Sequence, residues 1–126
     1  MTLQQLMDHA LHYPAACAEN PFGPDSICIR VGTHGPIFAS FMPMNAWVSF
    51  RCDPVQGMAW RTEFPDKVRR GYHCPPVQQP YNNTVTLDGT VPDEVLLDML
   101  AHSYQRAVRS LTKTRRDELF GTKKEV

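Results

Sequence analysis

Asn83-Thr84-Val85-Thr86-Leu87-Asp88-Gly89-Thr90-Val91-Pro92-Asp93-Glu94, residues 83–94, changes its period halfway. Up to Leu87 the residues alternate and are β-branched, the pattern of a strand, and Asp88-Gly89 turns the chain. Thr90-Val91-Pro92-Asp93 then has the make-up of a capping sequence, and Val95, Leu96, Met99, Leu100, Tyr104, Ala107, Val108 and Leu111 keep helical spacing. This predicts a long amphipathic helix laid on a sheet. Asp93, Glu94 and Asp98 stand at its start and Arg106 and Arg109 at its end, as the helix dipole prefers.

Upstream, Thr2 is positioned to cap a first helix whose apolar stripe is Leu3, Leu6, Met7, Ala10 and Leu11, stopped by Pro14. The turn-rich Asn20 to Asp25 connects it to three β-prone runs, Ile27 to Val31, Ile37 to Phe41 and Ala46 to Cys52, which read as an antiparallel meander. Asp53-Pro54 opens a second helix that must end near Phe64, because Pro65 follows. His73 to Pro80, with three prolines, reads as an exposed loop, and Lys113 to Val126 as a short helical turn around Asp117 to Phe120 before the tail frays. The expected class is α+β in the order α-β-β-β-α-β-β-α, an antiparallel sheet with helices packed on it. A single domain over residues 1–126 is expected, its tail from 119 to 126 frayed.

Composition sets limits on function. The 126 residues are 42% hydrophobic and 21% charged, a globular profile, and a chain of this length buries about two-thirds of its unfolded surface. No stretch reaches the roughly 20 apolar residues of a membrane span, and Met1 to Tyr13 lacks the basic start and apolar run of a secretory leader, so a cytoplasmic protein with no membrane partner is expected. Cys17, Cys28, Cys52 and Cys74 form no C-x-x-C pair and read as four small buried hydrophobes in a reducing compartment. The formal net charge is zero, yet residues 61–73 sum to +2 and residues 74–105 to −4. An electrostatic partner must therefore read a local patch.

Catalytic signatures are missing. There is no G-x-S-x-G elbow, no phosphate-cradling glycine motif and no Walker lysine, and His73 beside Cys74 is adjacency on an extended chain, not a nucleophile and its base. His9 and His12 are correctly spaced on a helix to share a metal, but no nearby Cys or His completes a ligand set. A non-enzymatic protein without cofactor or metal is expected. One constellation does point outward: Arg51 at the end of a strand, Lys67, Arg69 and Arg70 after the second helix, and the rings of Tyr72 and His73. Cations neutralise phosphate and rings contact bases or sugars, so this set reads as a nucleic-acid-binding surface for DNA or RNA. A second reading is a protein partner held on an apolar patch of Phe41-Met42-Pro43-Met44 and Trp47.

The segments Arg51-Cys52-Asp53-Pro54, Arg70-Gly71-Tyr72-His73, the quoted run from Asn83 to Glu94, and Ser103-Tyr104 occur in the order found in the MmcQ/YjbR family, which this chain resembles from its first helix to about Leu119. Pro21-Phe22-Gly23-Pro24-Asp25 fits as well. The resemblance implies an α+β fold similar to that of CyaY and the type III secretion chaperones, with two β wings and a DNA-binding description, and implies no enzymatic activity or cofactor. Iron handling by analogy with CyaY would need an acidic ridge on the first helix, which offers only Asp8. One segment departs from the family: where a basic Asn-Lys stretch and a Trp follow the Tyr-His, this chain reads Cys74-Pro75-Pro76-Val77-Gln78-Gln79-Pro80-Tyr81-Asn82. That loop has no cation for phosphate.

Overall fold

The computed structural model describes residues 1–121. Its elements are α1 (Leu3–Leu11), β1 (Ala16–Glu19), β2 (Ile27–Val31), β3 (Ile37–Met42), β4 (Trp47–Arg51), α2 (Pro54–Glu63), β5 (Val68–Arg70), β6 (Asn82–Thr86), α3 (Asp93–Arg109) and α4 (Lys113–Phe120), with single 3-10 turns at Pro43–Asn45 and Gln79–Tyr81. The strands form one antiparallel sheet in the order β1-β2-β3-β4-β6-β5. The expected α+β class and the meander β2-β3-β4 are both present. The sheet also has one short strand that the expected order lacks, β1 on its outer edge, and the second strand expected between the later helices is β5, inside the basic segment after α2, where no residues had been assigned to it.

Local chemistry accounts for the helix ends. Thr2 and Gln5 form a reciprocal capping box on α1, and the Asp53 carboxylate accepts from the backbone N–H groups of Val55 and Gln56 at the start of α2. Thr90 does not cap α3. Its N–H is taken by the Asp88 carboxylate, closing the turn, and the helix begins instead at Pro92, whose carbonyl accepts from Val95 and Leu96. The end of the chain also departs from expectation: α4 runs a full eight residues because the Thr112 hydroxyl caps it and Arg115 reaches the Thr33 carbonyl. Leu119 and Phe120 lie in this helix, and the rest of the expected frayed tail, from 122, lies outside the described residues.

Strand alternation divides the sheet into two faces. Val48, Phe50, Val85, Asn83 and Val68 point to the side covered by α1, α2 and α3, where they join Leu6, Ile29, Phe41, Leu96, Met99 and Leu100 in one core. A bulge opposite Ile29 and Arg30 leaves Phe38 unpaired, so Phe38 and Ala39 are both buried although they are neighbours. Asn83 fixes α2 to the sheet, its amide donating to the Gly57 carbonyl while its oxygen accepts from Arg61. Among the described residues, no helix packs on the other face. Cys28 and Cys52 are fully buried as expected, whereas Cys17 and Cys74 are only half-buried because they sit in an edge strand and a loop, and all four are free thiols. No helix among the described residues is long and apolar enough to cross a membrane.

Candidate functional site

A single row of residues crosses all six strands on the face without helices: Glu19, Cys28, Ser40, Ser49, Thr84 and Arg69 are successive register partners. Its middle is built of small polar side chains, Ser49 and Thr84 sharing a hydroxyl hydrogen bond of 2.8 Å. Small side chains leave depth. The flanking loops rise above them, with Phe22 on one side and the long β5–β6 loop, through His73, Cys74 and Tyr81, on the other, and enclose a cavity of about 550 Å³.

Arg51 and Arg106 stand at one end of that cavity. Arg51 leaves β4 with its Nε donating to the Ile37 carbonyl, and Arg106 comes from the last turn of α3, its guanidinium 5.9 Å from the centre of the Tyr81 ring. Burial, and after it the neighbouring Arg106 charge, pull the Arg51 pKa below its ordinary value. Among the described residues neither arginine is in an ion pair. Two cations that repel each other in a partly dry cavity are stabilised by any anion that enters.

The residues singled out from the sequence fall in different places. Arg51 and His73 both line the cavity. Lys67 is tied to the Asp88 carboxylate at 2.6 Å. Arg69 lies on the open face but is stacked 4.3 Å over the Trp47 ring and donates to the Thr86 hydroxyl. Arg70, one residue on, points to the helix side of the strand beside Asn83. Tyr72 is 69% exposed, outside the cavity. Burial lowers the His73 pKa, and its Nε2 lies 3.4 Å from the Cys74 thiol, whose own pKa burial raises. Burial there favours the thiol over the more reactive thiolate. The apolar patch does not assemble as one surface either: Phe41 is in the core, Met42 lines the cavity, Trp47 lies under Arg69, and only Pro43 and Met44 stand out, Met44 at 87% exposure.

Sequence reasoning missed Arg106, because its position in the last turn of a helix already accounted for its charge, and it missed Cys28, Ser40 and Ser49. Their signal was present: small polar side chains at the positions between core residues in three strands that pair in space.

The Lys67–Asp88 pair carries a pH signature. Hydrogen bonds from Lys67 and then Thr90 hold the Asp88 pKa down to about 2 from 3.8. A depressed carboxylate favours the folded state above its unfolded pKa, and this contribution fades as pH falls from 3.8 toward 2. In Asp88→Asn that part of the acid limb of stability should vanish, checked by urea midpoints across the same pH range. An unchanged acid limb would mean the pair does not form in solution.

Comparison with known proteins places these features in a lineage. A family model described as YjbR matches residues 11–106, a span that includes both Arg51 and Arg106. The crystal structure of protein DR2400 of Deinococcus radiodurans, a DUF419-domain protein, is similar at 29% identity and a TM-score of 0.83, over 94% of this chain and 87% of that one. A protein from Pseudomonas syringae superposes with a TM-score of 0.68 at 19% identity, over 85% of this chain and 99% of its own, a likeness of fold. No curated protein matches.

Proposed function

The chain belongs to the YjbR family, and from that premise we propose that it is a non-enzymatic binding module, cytoplasmic, that takes single-stranded DNA or RNA on the open face of its sheet. The observation that carries this reading is the pair Arg51 and Arg106, two guanidinium groups without a carboxylate among the described residues, set in a cavity on an uncovered sheet. Support also comes from exposed rings at Phe22, Tyr72 and Tyr81 around it, since base stacking on aromatic side chains is the common means of holding a strand without reading its sequence. Four free cysteines fit a reducing compartment.

Single strands fit better than duplex. A duplex backbone is met by exposed cations on an outer surface. Here Lys67 is neutralised by Asp88, Arg69 is stacked on Trp47, and Arg51 is partly buried in a recess that a splayed nucleotide can enter. The protein-partner reading has less to stand on, because only Pro43 and Met44 of the expected apolar patch are exposed.

Fluorescence polarisation with short single strands and duplexes across salt tests this. Each neutralised phosphate on a single strand contributes about 0.7 to the log–log salt slope, so two contacts give about 1.4. Single strands should bind with roughly that slope, and more tightly than duplex. No binding, or binding indifferent to salt, would overturn the proposal.

A further inference from the structure

We propose that the cavity between Phe22 and the β5–β6 loop binds, as a free small molecule, a phosphate monoester carrying an aromatic body of about nucleotide size, its phosphate on Arg51 and Arg106. The inference uses the same site as the nucleic-acid reading but needs no polymer, so each can fail alone.

Size, charge and lining agree on this class. The cavity volume of about 550 Å³ lies within the roughly 300–1,000 Å³ usual for small-molecule sites. At one end stand two guanidinium groups, the side chain suited to bidentate capture of phosphate, and no carboxylate among the described residues lines the cavity. A phosphate monoester near neutral pH carries close to two negative charges and matches both arginines, whereas a carboxylate or a phosphodiester carries one and leaves a partly buried guanidinium uncompensated. The apolar walls are Phe22, Ile37, Met42 and Tyr81, with the Ile37 carbonyl and the Tyr81 ring beside the arginines, and they take the flat faces of a ring system. The floor and rim, with Ser40, Ser49, Gln78 and Asn82, offer hydroxyl and amide groups to the polar edge of a base. Ser49 and Asn82 are already bonded to Thr84 and to the Gln78 carbonyl, but their spare acceptor capacity and the Gln78 amide suit the polar edge of a heteroaromatic ring better than an acyl chain.

Much of the cavity is fixed by structure. Its floor is register-locked sheet, and Arg51 is held by its bond to the Ile37 carbonyl. The β5–β6 loop is pinned at both ends, Gly71 donating to the Asn82 carbonyl and the Asn82 amide donating to the Gln78 carbonyl. Little ordering is therefore left for the ligand to impose.

Isothermal titration calorimetry with AMP, adenosine, cyclic 3′,5′-AMP and inorganic phosphate tests the assignment on the full chain. AMP should bind, cyclic AMP about tenfold or more weakly for the loss of one charge, and adenosine and phosphate alone more weakly still. Arg106→Gln, on the half-exposed rim, and Arg51→Gln should each weaken AMP about tenfold or more while the melting transition stays cooperative. Should Arg51→Gln fail to fold, Arg106→Gln alone decides the matter. Failure of AMP to bind, equal binding of AMP and adenosine, or AMP binding unmoved by Arg106→Gln would overturn the proposal. AMP binding without capture of any oligonucleotide sinks the nucleic-acid reading and leaves this one. Capture of single strands without AMP binding does the reverse.

Discussion

Phe38→Ala is expected to lower the unfolding free energy by about 3–5 kcal/mol, the range for truncating a fully buried phenylalanine. The ring is 1% exposed and meets two others edge-on, Tyr13 at 5.9 Å and Tyr104 at 5.1 Å between centroids, while those two lie 4.4 Å apart. Edge-to-face pairs add about 0.5–1.5 kcal/mol beyond area burial, and the Tyr104 hydroxyl is fixed to the Pro14 carbonyl, so the trio cannot collapse freely into the space left. It ties the segment after α1 to β3 and α3 at one point. A domain of this size has about 5–15 kcal/mol in total, so the variant should be marginal, with a sharply lower urea midpoint and an unchanged slope. A loss below about 1.5 kcal/mol would mean that the trio is dispensable. Phe38→Leu should recover much of the loss, because it refills most of the volume.

Phe38 also marks the limit of what the sequence made legible. The run Ile37 to Phe41 was readable as a strand, but its faces were not, because the bulge puts Phe38 and Ala39 on the same side and breaks the alternation that assigns faces. Helices were legible where a single capping residue decided the start, as at Thr2 and Asp53, and misread where two local motifs overlapped, as at Thr90, whose N–H serves the Asp88 turn. β1 and β5 were hidden for another reason. Four and three residues long, they are strands because a neighbour offers hydrogen bonds, not because their own residues demand it. The same limit applies to the site. Lys67, Arg69 and Arg70 were grouped by sequence proximity, but a strand sends neighbours to opposite faces, and Asp88 and Trp47 had already engaged two of the three. Arg51 and Arg106 come together across the molecule, which no local pattern reports.

Ser103→Ala is the second large effect, and it links stability to the site. Ser103 is completely buried, on the face of α3 that meets the sheet. Its hydroxyl donates to the Phe38 carbonyl at 2.6 Å and accepts the Arg51 N–H at 2.8 Å, so one side chain satisfies the carbonyl exposed by the bulge and the last residue of β4. Deleting the hydroxyl strands both groups, each at about 1–3 kcal/mol, against a gain of a few tenths in helix propensity, for an expected net loss of about 2–5 kcal/mol. Urea denaturation measures it, and the amide resonance of Arg51 should move more than those of distant strands. A near-neutral result would show that a water takes the place of the hydroxyl. The consequence reaches the cavity, because the Arg51 backbone is anchored by this bond while its side chain supplies half of the proposed anion-binding pair. Ser103→Ala, examined under conditions where it is folded, should therefore bind anions more weakly with both guanidinium groups still present, and Ser103→Thr, which keeps the hydroxyl, should restore binding to the extent that it restores the bond.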